Sequence, residues 1–470
     1  MTLALAYMLP WITGTAWMAW VESFSSREPG VNWPRALGYG FFLGNFICAA
    51  ALYLVHAWSE QLSVFMVTAV MTGLSLLGIL LTWHRYRRQG VFIARHTRVD
   101  GGSKWLFFLL SALIVLHLAL AAVDVLSRPL TPWDAWTTWT YRAKIWFLNQ
   151  ELSPMVGPGS WLATMDPGTY TINAFAYSPL VSLIQLWPAQ ALGAWSDSLA
   201  ILPGTLAGIA IALGLYGQGR SLAWPPLMML AAVYMLLSMP LLDTHLALPG
   251  YADLWLAGFA GLGFVALLQW TQSRDQGQLV SGLLFLILGV LIKREGVLWF
   301  LAGTLYIMLY LLPWKLLLGI AIAAVLLVIS GHGLLQLPLL GQVGYADGVL
   351  YLAHLGVYPL RVQNISAALA TNLFFHASWG LLFFYMLGAL LLLLLPVCAG
   401  IRSAVLWFVL LISVVITFMF FLSAEGRWLQ DNTAFNRIVL QMSPALLFSL
   451  LMTWRVLISY LHGSDERSGP

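Results

Sequence analysis

The sequence predicts an all-α protein, a polytopic transmembrane helical bundle of about 13 spans with interfacial helices in its first large outer loop. Three observations predict this class. The 470 residues are 60% hydrophobic and only 9% charged, whereas soluble domains carry about 25% charged residues. The apolar runs are about 20 residues long, the length at which a helix crosses a bilayer. The 23 tryptophans and 17 tyrosines suit the aromatic belts at the two membrane surfaces.

The first third of the chain sets the orientation. Three spans come first, near 3–22, 36–57 and 61–83, and the most basic stretch of the chain, 84–104, follows them. The positive-inside rule places that stretch in the cytoplasm. A fourth span near 105–124 then leads outward, so the loop that begins at Thr131 lies outside. We divide the chain into an N-terminal extension (1–104), a transmembrane core (105–457) and a cytoplasmic tail (458–470).

Residues 175–193 are apolar but contain Pro179 and Pro188, so the sequence leaves open whether they cross the membrane. This choice decides on which side of the membrane every later loop lies. We place residues 175–193 along the outer interface rather than across the membrane. This choice puts the cations of the later short loops inside, as the charge rule prefers. The later spans are then predicted near 196–217, 222–241, 252–270, 279–293, 296–314, 316–334, 378–398, 403–422 and 438–457. The second large outer loop is about 335–377.

The opening of the first outer loop, 131–150, is polar and rich in tryptophan. It contains Asp134, Arg142 and Lys144. A carboxylate between indole rings at a dry interface is suited to taking a proton from a hydroxyl, so Asp134 is the candidate catalytic base. The alternative is that Asp134 only caps the helix that follows. The tryptophans either stack against a sugar ring or hold the loop at the interface.

A short outer loop before the span at 252–270 groups further polar residues. It contains Asp243, His245 and Tyr251, and Asp253 opens the span. Asp253 is the second candidate catalytic residue, with His245 and Tyr251 as candidate substrate contacts. A helix cap is the alternative for Asp253. Two carboxylates and an imidazole could hold a divalent metal, but their spacing matches no standard ligand pattern, so no metal ligands are assigned.

Three charges interrupt the apolar sequence at Lys293, Arg294 and Glu295. Either cation could hold a phosphate, with Glu295 orienting the pair. A tight turn between two helices is the alternative. Arg437, at the start of the last span, could also reach a lipid phosphate, or could only extend its charge to the interface. The sequence contains no phosphate-binding loop, nucleophile elbow, zinc-protease motif or dinucleotide fingerprint.

These residues together resemble the GT-C superfamily of membrane glycosyltransferases, which includes protein O-mannosyltransferases and lipid A aminoarabinose transferases. Asp134 resembles the acid of the family's long first outer loop. Residues 177–180, beginning at Tyr177, resemble the segment that closes this loop. Residues 249–253 resemble a later Asp motif, and 435–444 resemble an arginine-to-proline stretch. The chain differs in having Ala135 where the family pairs two acids, three additional spans before the core and no soluble domain after it.

The resemblance implies transfer of a sugar from a polyprenyl-phosphate donor to a lipid, glycan or protein acceptor, in one inverting displacement on the periplasmic face of a bacterial inner membrane. Asp134 would be the base. Arg142, Lys144, Tyr177 and the later candidates would bind substrate, and nucleic acid is not a partner. One alternative is a polysaccharide polymerase or O-antigen ligase. Another is a transporter or flippase, which requires charged or broken helices at mid-membrane. His117 is mid-span, and we interpret it as a packed core residue.

Overall fold

The computed structural model describes residues 1–25, 30–89, 103–313, 341–352, 357–432 and 434–465, with 315–316, 319, 322–323, 326 and 334–337. Most of the predicted span 316–334, and the basic stretch beyond Gln89, lie outside these residues. The chain forms two compact units. One unit holds Met1–Phe300 with Leu440–Ser449, and the other holds Leu301–Val439 with Leu450–Pro470. The predicted boundary at residues 104 and 105 therefore falls inside the first unit.

The first unit is mainly helical. Its helices are α1 (Leu3–Glu22), α2 (Trp33–Ser59), α3 (Val64–Gln89), α4 (Lys104–Ser127), α5 (Thr140–Asn149), α6 (Pro158–Thr164), α7 (Leu180–Leu192), α8 (Asp197–Ser221), α9 (Pro226–Leu237), α10 (Pro240–Ala247), α11 (Ala252–Leu256), α12 (Leu262–Ser273), α13 (Gln276–Val290) and α14 (Glu295–Leu311). π-Helical turns at Ala135–Trp139 and Ala257–Gly261 precede α5 and join α11 to α12. Strands β1 (Met155–Val156) and β2 (Tyr170–Thr171) pair in parallel within the first outer loop.

Seven helices among the described residues are long and apolar enough to cross a membrane. All seven overlap predicted spans, so the chain is a multi-pass helical membrane protein. They are Trp33–Ser59, Val64–Arg88, Lys104–Ser127, Asp197–Ser221, Ala252–Ser273, Pro396–Phe421 and Phe435–Leu461. An eighth crossing results if α9 and α10, which meet at a 71° bend, form one broken span.

The predicted total of about 13 crossings is not confirmed. Helix α1 has the predicted bounds but is not among the seven, because its aromatic and polar residues lower its mean hydropathy. The helices at 276–290, 295–311 and 382–392 are apolar but shorter than 18 residues. Helix α7 has 13 residues, a rise of about 20 Å that is less than the thickness of the bilayer core. It does not lie on the surface of its unit, because nearly all of its residues are buried.

Small residues let α1 and α2 cross at close range. A Cβ added to Gly14 would lie 1.9 Å from the Gly40 carbonyl oxygen, and one added to Gly44 would lie 1.7 Å from the Pro10 carbonyl oxygen. Backbone therefore packs directly on backbone at this crossing. Helices in lipid associate through such contacts, because no hydrophobic effect drives them together there.

The second unit contains a sheet that the all-α prediction missed. Strands β3 (Leu334–Leu337), β4 (Gly341–Ala346), β5 (Val349–Leu352) and β6 (Val357–Pro359) form an antiparallel meander within the predicted second outer loop. Its helices are α15 (Ser366–Ala370), α16 (Leu382–Leu392), α17 (Ala399–Ile416) and α18 (Arg427–Gln430). The last helix, α19 (Phe435–Asp465), contributes residues to both units.

We expect Gly44→Val to destabilise the protein by about 1–3 kcal/mol, because the added side chain must push α1 away from α2. Thermal unfolding in detergent micelles measures the effect. Gly73→Val on α3 is the matched control, because an added Cβ there meets nothing within 4 Å. An equal loss in both variants would show that helix propensity, rather than the crossing, causes the change.

Candidate functional site

The carboxylate of Asp253 is at the centre of a buried polar cluster. Asp253 lies in the first turn of α11 and is 0% exposed. Its Oδ1 accepts hydrogen bonds from Lys293 Nζ at 2.9 Å and from Gln441 Nε2 at 2.8 Å. The Trp299 indole in turn donates to Gln441 Oε1 at 2.7 Å. The N-cap of α11 is Tyr251, but Asp253 lies in the first turn, where a carboxylate favours the helix dipole, as the cap alternative held.

Lys293 lies in a tight turn between two helices, as the alternative interpretation of this stretch predicted. The turn needs a glycine, since a Cβ on Gly296 would lie 2.1 Å from the carbonyl oxygen of Gly289. The turn also buries Lys293, whose side chain is 9% exposed. Its ammonium contacts Asp253 Oδ1 and, at 2.8 Å, Glu295 Oε1. Lys293 is therefore paired with two carboxylates.

Glu295 leaves one acceptor of this cluster unsatisfied. The Lys293 ammonium contacts both Asp253 Oδ1 and Glu295 Oε1. Glu295 Oε2 is buried and accepts no hydrogen bond within the described part of the protein. A buried acceptor of this kind is costly to leave unpaired. The cluster is thus arranged to receive a proton donor beside Glu295.

Tyr177 connects this cluster to the first outer loop. The Arg294 guanidinium lies 5.4 Å from the centre of the Tyr177 ring, and the Trp139 ring meets it edge-on at 5.6 Å. Burial and the nearby charge of Glu295 raise the pKa of Tyr177 above its usual value, while Lys293 opposes the shift. The phenol therefore keeps its proton at neutral pH and can donate a hydrogen bond.

Arg142 orders the turn that presents Tyr177. Its guanidinium is buried and donates to the carbonyls of Ala174, Phe175, Tyr177 and Ser178 at 3.2–3.4 Å. Burial lowers the pKa of Arg142 to about 10, so it is still charged at neutral pH. Arg142 was predicted to bind substrate. In the structure its hydrogen bonds go to the backbone, so its observed role is to position this turn.

Asp134 lies close to the loop that carries Asp253. Its neighbour Ala135 is fully buried, and a Cβ on Gly250 would lie 2.7 Å from the Ala135 side chain. Gly250 has φ = +117°, a conformation that glycine adopts without strain. Asp134 is half-buried, and its side chain makes no capping hydrogen bond. The capping alternative is therefore not supported. The first loop meets the 249–253 loop at Ala135, the residue next to Asp134.

The other predicted site residues are distributed more widely. His245 and Tyr251 contact each other, with ring centres 5.2 Å apart, and the His245 Nδ1 lies 2.8 Å from the Leu241 carbonyl. Lys144 pairs with Asp197 at 3.4 Å in the first turn of α8. Arg437 belongs to the second unit and is half-buried near the start of α19. Within the described ranges, no three His, Cys, Asp or Glu residues group as metal ligands.

One ionisable pair was not predicted. His117 Nε2, in the middle of α4, lies 3.1 Å from Asp243 Oδ1 on α10. The side chains are 20% and 49% exposed. His117 was interpreted as a packed core residue, and the pairing corrects this. The sequence did contain a signal for this pair, since His117 is an ionisable residue inside a 24-residue apolar helix. Ionisable residues within membrane spans commonly mark function.

We expect Lys293→Met to lower the free energy of unfolding by about 3–5 kcal/mol, because it removes the ammonium that contacts the buried Asp253 carboxylate. Adding Asp253→Asn should restore much of this loss. Lys144→Met is the control. Its ion pair with Asp197 is largely exposed, so we expect a loss of less than about 1 kcal/mol. Denaturant titration in mixed micelles compares the variants, and an undiminished loss in the double variant would contradict the pairing.

The arrangement combines the buried Glu295 carboxylate oxygen, the neutral Tyr177 phenol and the exposed Arg294 guanidinium, and the first outer loop that contacts Tyr177 also carries the half-buried Asp134. These groups can accept a proton, donate a hydrogen bond and bind an anion. The site is therefore suited to a polar, partly anionic molecule at the membrane surface. No protein-family model, curated protein or solved structure matches the chain.

Proposed function

We propose that this protein is a membrane glycosyltransferase. It would transfer a sugar from a polyprenyl-phosphate donor to an acceptor at the periplasmic face of a bacterial inner membrane. The observation that supports this most is the meeting of two loops at Tyr177. The first loop brings Trp139 to the ring, and the turn after α13 brings Arg294. A catalytic base from one loop and an anion-binding cation from the other are what this transfer requires.

Asp134 is the proposed base. It takes the proton of the acceptor hydroxyl as the acceptor oxygen forms a bond to C1 of the sugar. The bond from C1 to the phosphate oxygen breaks, and the polyprenyl phosphate leaves with the electron pair. A single displacement of this kind inverts the configuration at C1. Asp134 is half-buried, so it is accessible to an acceptor in a way that the fully buried Asp253 is not.

Arg294 is the proposed phosphate ligand. The sequence offered both Lys293 and Arg294 for this role, but the Lys293 ammonium is paired with two carboxylates. Arg294 is exposed beside Tyr177. A guanidinium can bind two phosphate oxygens at once, and the Tyr177 hydroxyl can donate to a third. Asp253 and Lys293 then act as positioning residues that hold the turn carrying Arg294.

Glu295 has a role that follows from its geometry. One oxygen binds Lys293 and the other is buried without a hydrogen bond among the described residues. A sugar hydroxyl that donated to Glu295 Oε2 would satisfy this acceptor. Sites that require a hydrogen bond from a substrate discriminate strongly against analogues that lack the donor. Glu295 is therefore the proposed determinant of sugar specificity.

The test is transfer by the purified protein in proteoliposomes that contain undecaprenyl-phosphate-linked hexoses, followed by mass spectrometry of lipids and glycans. We expect Asp134→Asn to reduce transfer by at least about a hundredfold, the scale of a lost general base. Arg294→Gln should weaken donor binding and leave the folded state intact. Asp197→Asn is the control, because this acid pairs with Lys144 and has no role in the proposed displacement. Normal transfer by Asp134→Asn would contradict the proposal.

A transporter is the second candidate, and one observation favours it. Helices α9 and α10 meet at a 71° bend, and α10 carries Asp243 to His117 in the middle of α4. Broken helices and paired ionisable residues within a membrane are typical of substrate and proton pathways. The Asp243 side chain is 49% exposed, so this pair is open to its surroundings on the α10 side.

The two candidates differ in which aspartate they require. If the protein is a glycosyltransferase, Asp243→Asn should keep most of the transfer activity while Asp134→Asn loses it. If it is a transporter, Asp243→Asn should abolish substrate-dependent proton uptake by proteoliposomes, and Asp134→Asn should have little effect. The same two variants in both assays therefore separate the candidates.

A further inference from the structure

An apolar groove lies in the N-terminal part of the first unit, outside the site described above. Its volume is about 680 Å³. It runs along α1 from Met8 to Ala19 and is closed on its sides by α2 and α3, with Trp11 and Trp83 among the lining residues. The Trp11 indole donates to the Leu37 carbonyl, and the Thr82 hydroxyl to the Ala16 carbonyl. These two groups are bonded within the protein, and the Thr15 hydroxyl of the same lining is buried, so the accessible surface of the groove is almost entirely hydrocarbon.

The groove is open to the surroundings of the unit. Ile12 and Ile79 line it and are 48% and 47% exposed. In a multi-pass membrane protein such a surface faces lipid, where water cannot fill a hydrocarbon-lined space favourably. A chain of methylene groups from the bilayer is the occupant that fits this lining.

One end of the groove is next to positive charge. Trp83 lines the groove, and Arg87 follows one helical turn later on the same face of α3. Arg85 and Arg88 flank it, and all three arginines are exposed. Side chains on a helix point back towards its N-terminus, so a residue one turn after Trp83 is placed to reach the end of the groove. The positive-inside rule places this end of α3 at the cytoplasmic leaflet, which is the leaflet rich in anionic lipids.

We propose that this groove is a binding site for an anionic phospholipid of the cytoplasmic leaflet. One acyl chain would lie between α1, α2 and α3, and the phosphate would contact Arg87 and its basic neighbours. The charge of the arginines selects an anionic over a zwitterionic headgroup, and the apolar groove requires a chain rather than a free phosphate. This proposal is independent of the glycosyltransferase assignment.

Native mass spectrometry of the purified full-length protein, titrated with dioleoyl-phosphatidylglycerol or dioleoyl-phosphatidylcholine, tests the proposal. We expect one phosphatidylglycerol to be retained at activation energies that remove phosphatidylcholine. Arg87→Gln should reduce this preference about fivefold, the scale of one cation near an anionic surface. Arg128→Gln is the control. The Arg128 side chain is exposed at the C-terminal end of α4, where it pairs with Asp124, and it does not line the groove.

A second variant tests the groove without changing charge. Ile12→Trp should block the chain and remove retention of phosphatidylglycerol, because the side chain at position 12 lines the groove. Leu5→Trp, at an exposed position of the same helix outside the groove, should bind as the unmodified protein does. Equal retention of the two lipids, unchanged binding by Ile12→Trp, or a dimer that forms through this face in place of lipid binding would each overturn the proposal.

Discussion

The buried ion pair between Asp253 and Lys293 is the interaction on which the candidate site depends. The Asp253 carboxylate and the Lys293 ammonium are buried in the protein interior, where an unpaired charge costs several kcal/mol. These buried charges are paired because the fold brings together the start of α11, the turn after α13, the first residue of α14 and Gln441. The position of Arg294 follows, because the turn that buries Lys293 exposes its neighbour. Tyr177 then lies where the first outer loop and this turn meet.

Close helix packing makes this burial possible. At the α1–α2 crossing and at the turn after α13, glycine allows backbone to approach backbone where any side chain would clash. Lipid supplies little of the hydrophobic driving force that soluble cores use, so such contacts carry much of the association. The π-helical turn Ala257–Gly261 shifts the face of the α11–α12 helix just after Asp253. Inserted turns of this type are frequent at functional sites.

The sequence predicted where the helices lie better than it predicted which side chains contact each other. Apolar length located seven spans, most of them to within about five residues of their ends, because the thickness of a bilayer sets the length of a spanning helix. Apolar length could not show that Lys293 would meet an acid 40 residues earlier in the chain. For the same reason it could not show that Arg142 would hold the turn at Tyr177, since its carbonyl partners lie more than 30 residues away. The missed sheet had a local signal in Asp347–Gly348, a pair with positive φ at both residues that is typical of a hairpin turn.

The two ionisable pairs of the first unit differ in a way that bears on what each can do. Asp253 and Lys293 are 0% and 9% exposed, so their charges face each other rather than water. Separating such a buried pair leaves charge without compensation, and the pair therefore holds together the two segments that carry it. His117 and Asp243 are 20% and 49% exposed. Asp243 lies on α10, which meets α9 at a 71° bend. The buried pair therefore fixes the turn that carries Arg294, whereas the more exposed pair joins α4 to a helix that is bent.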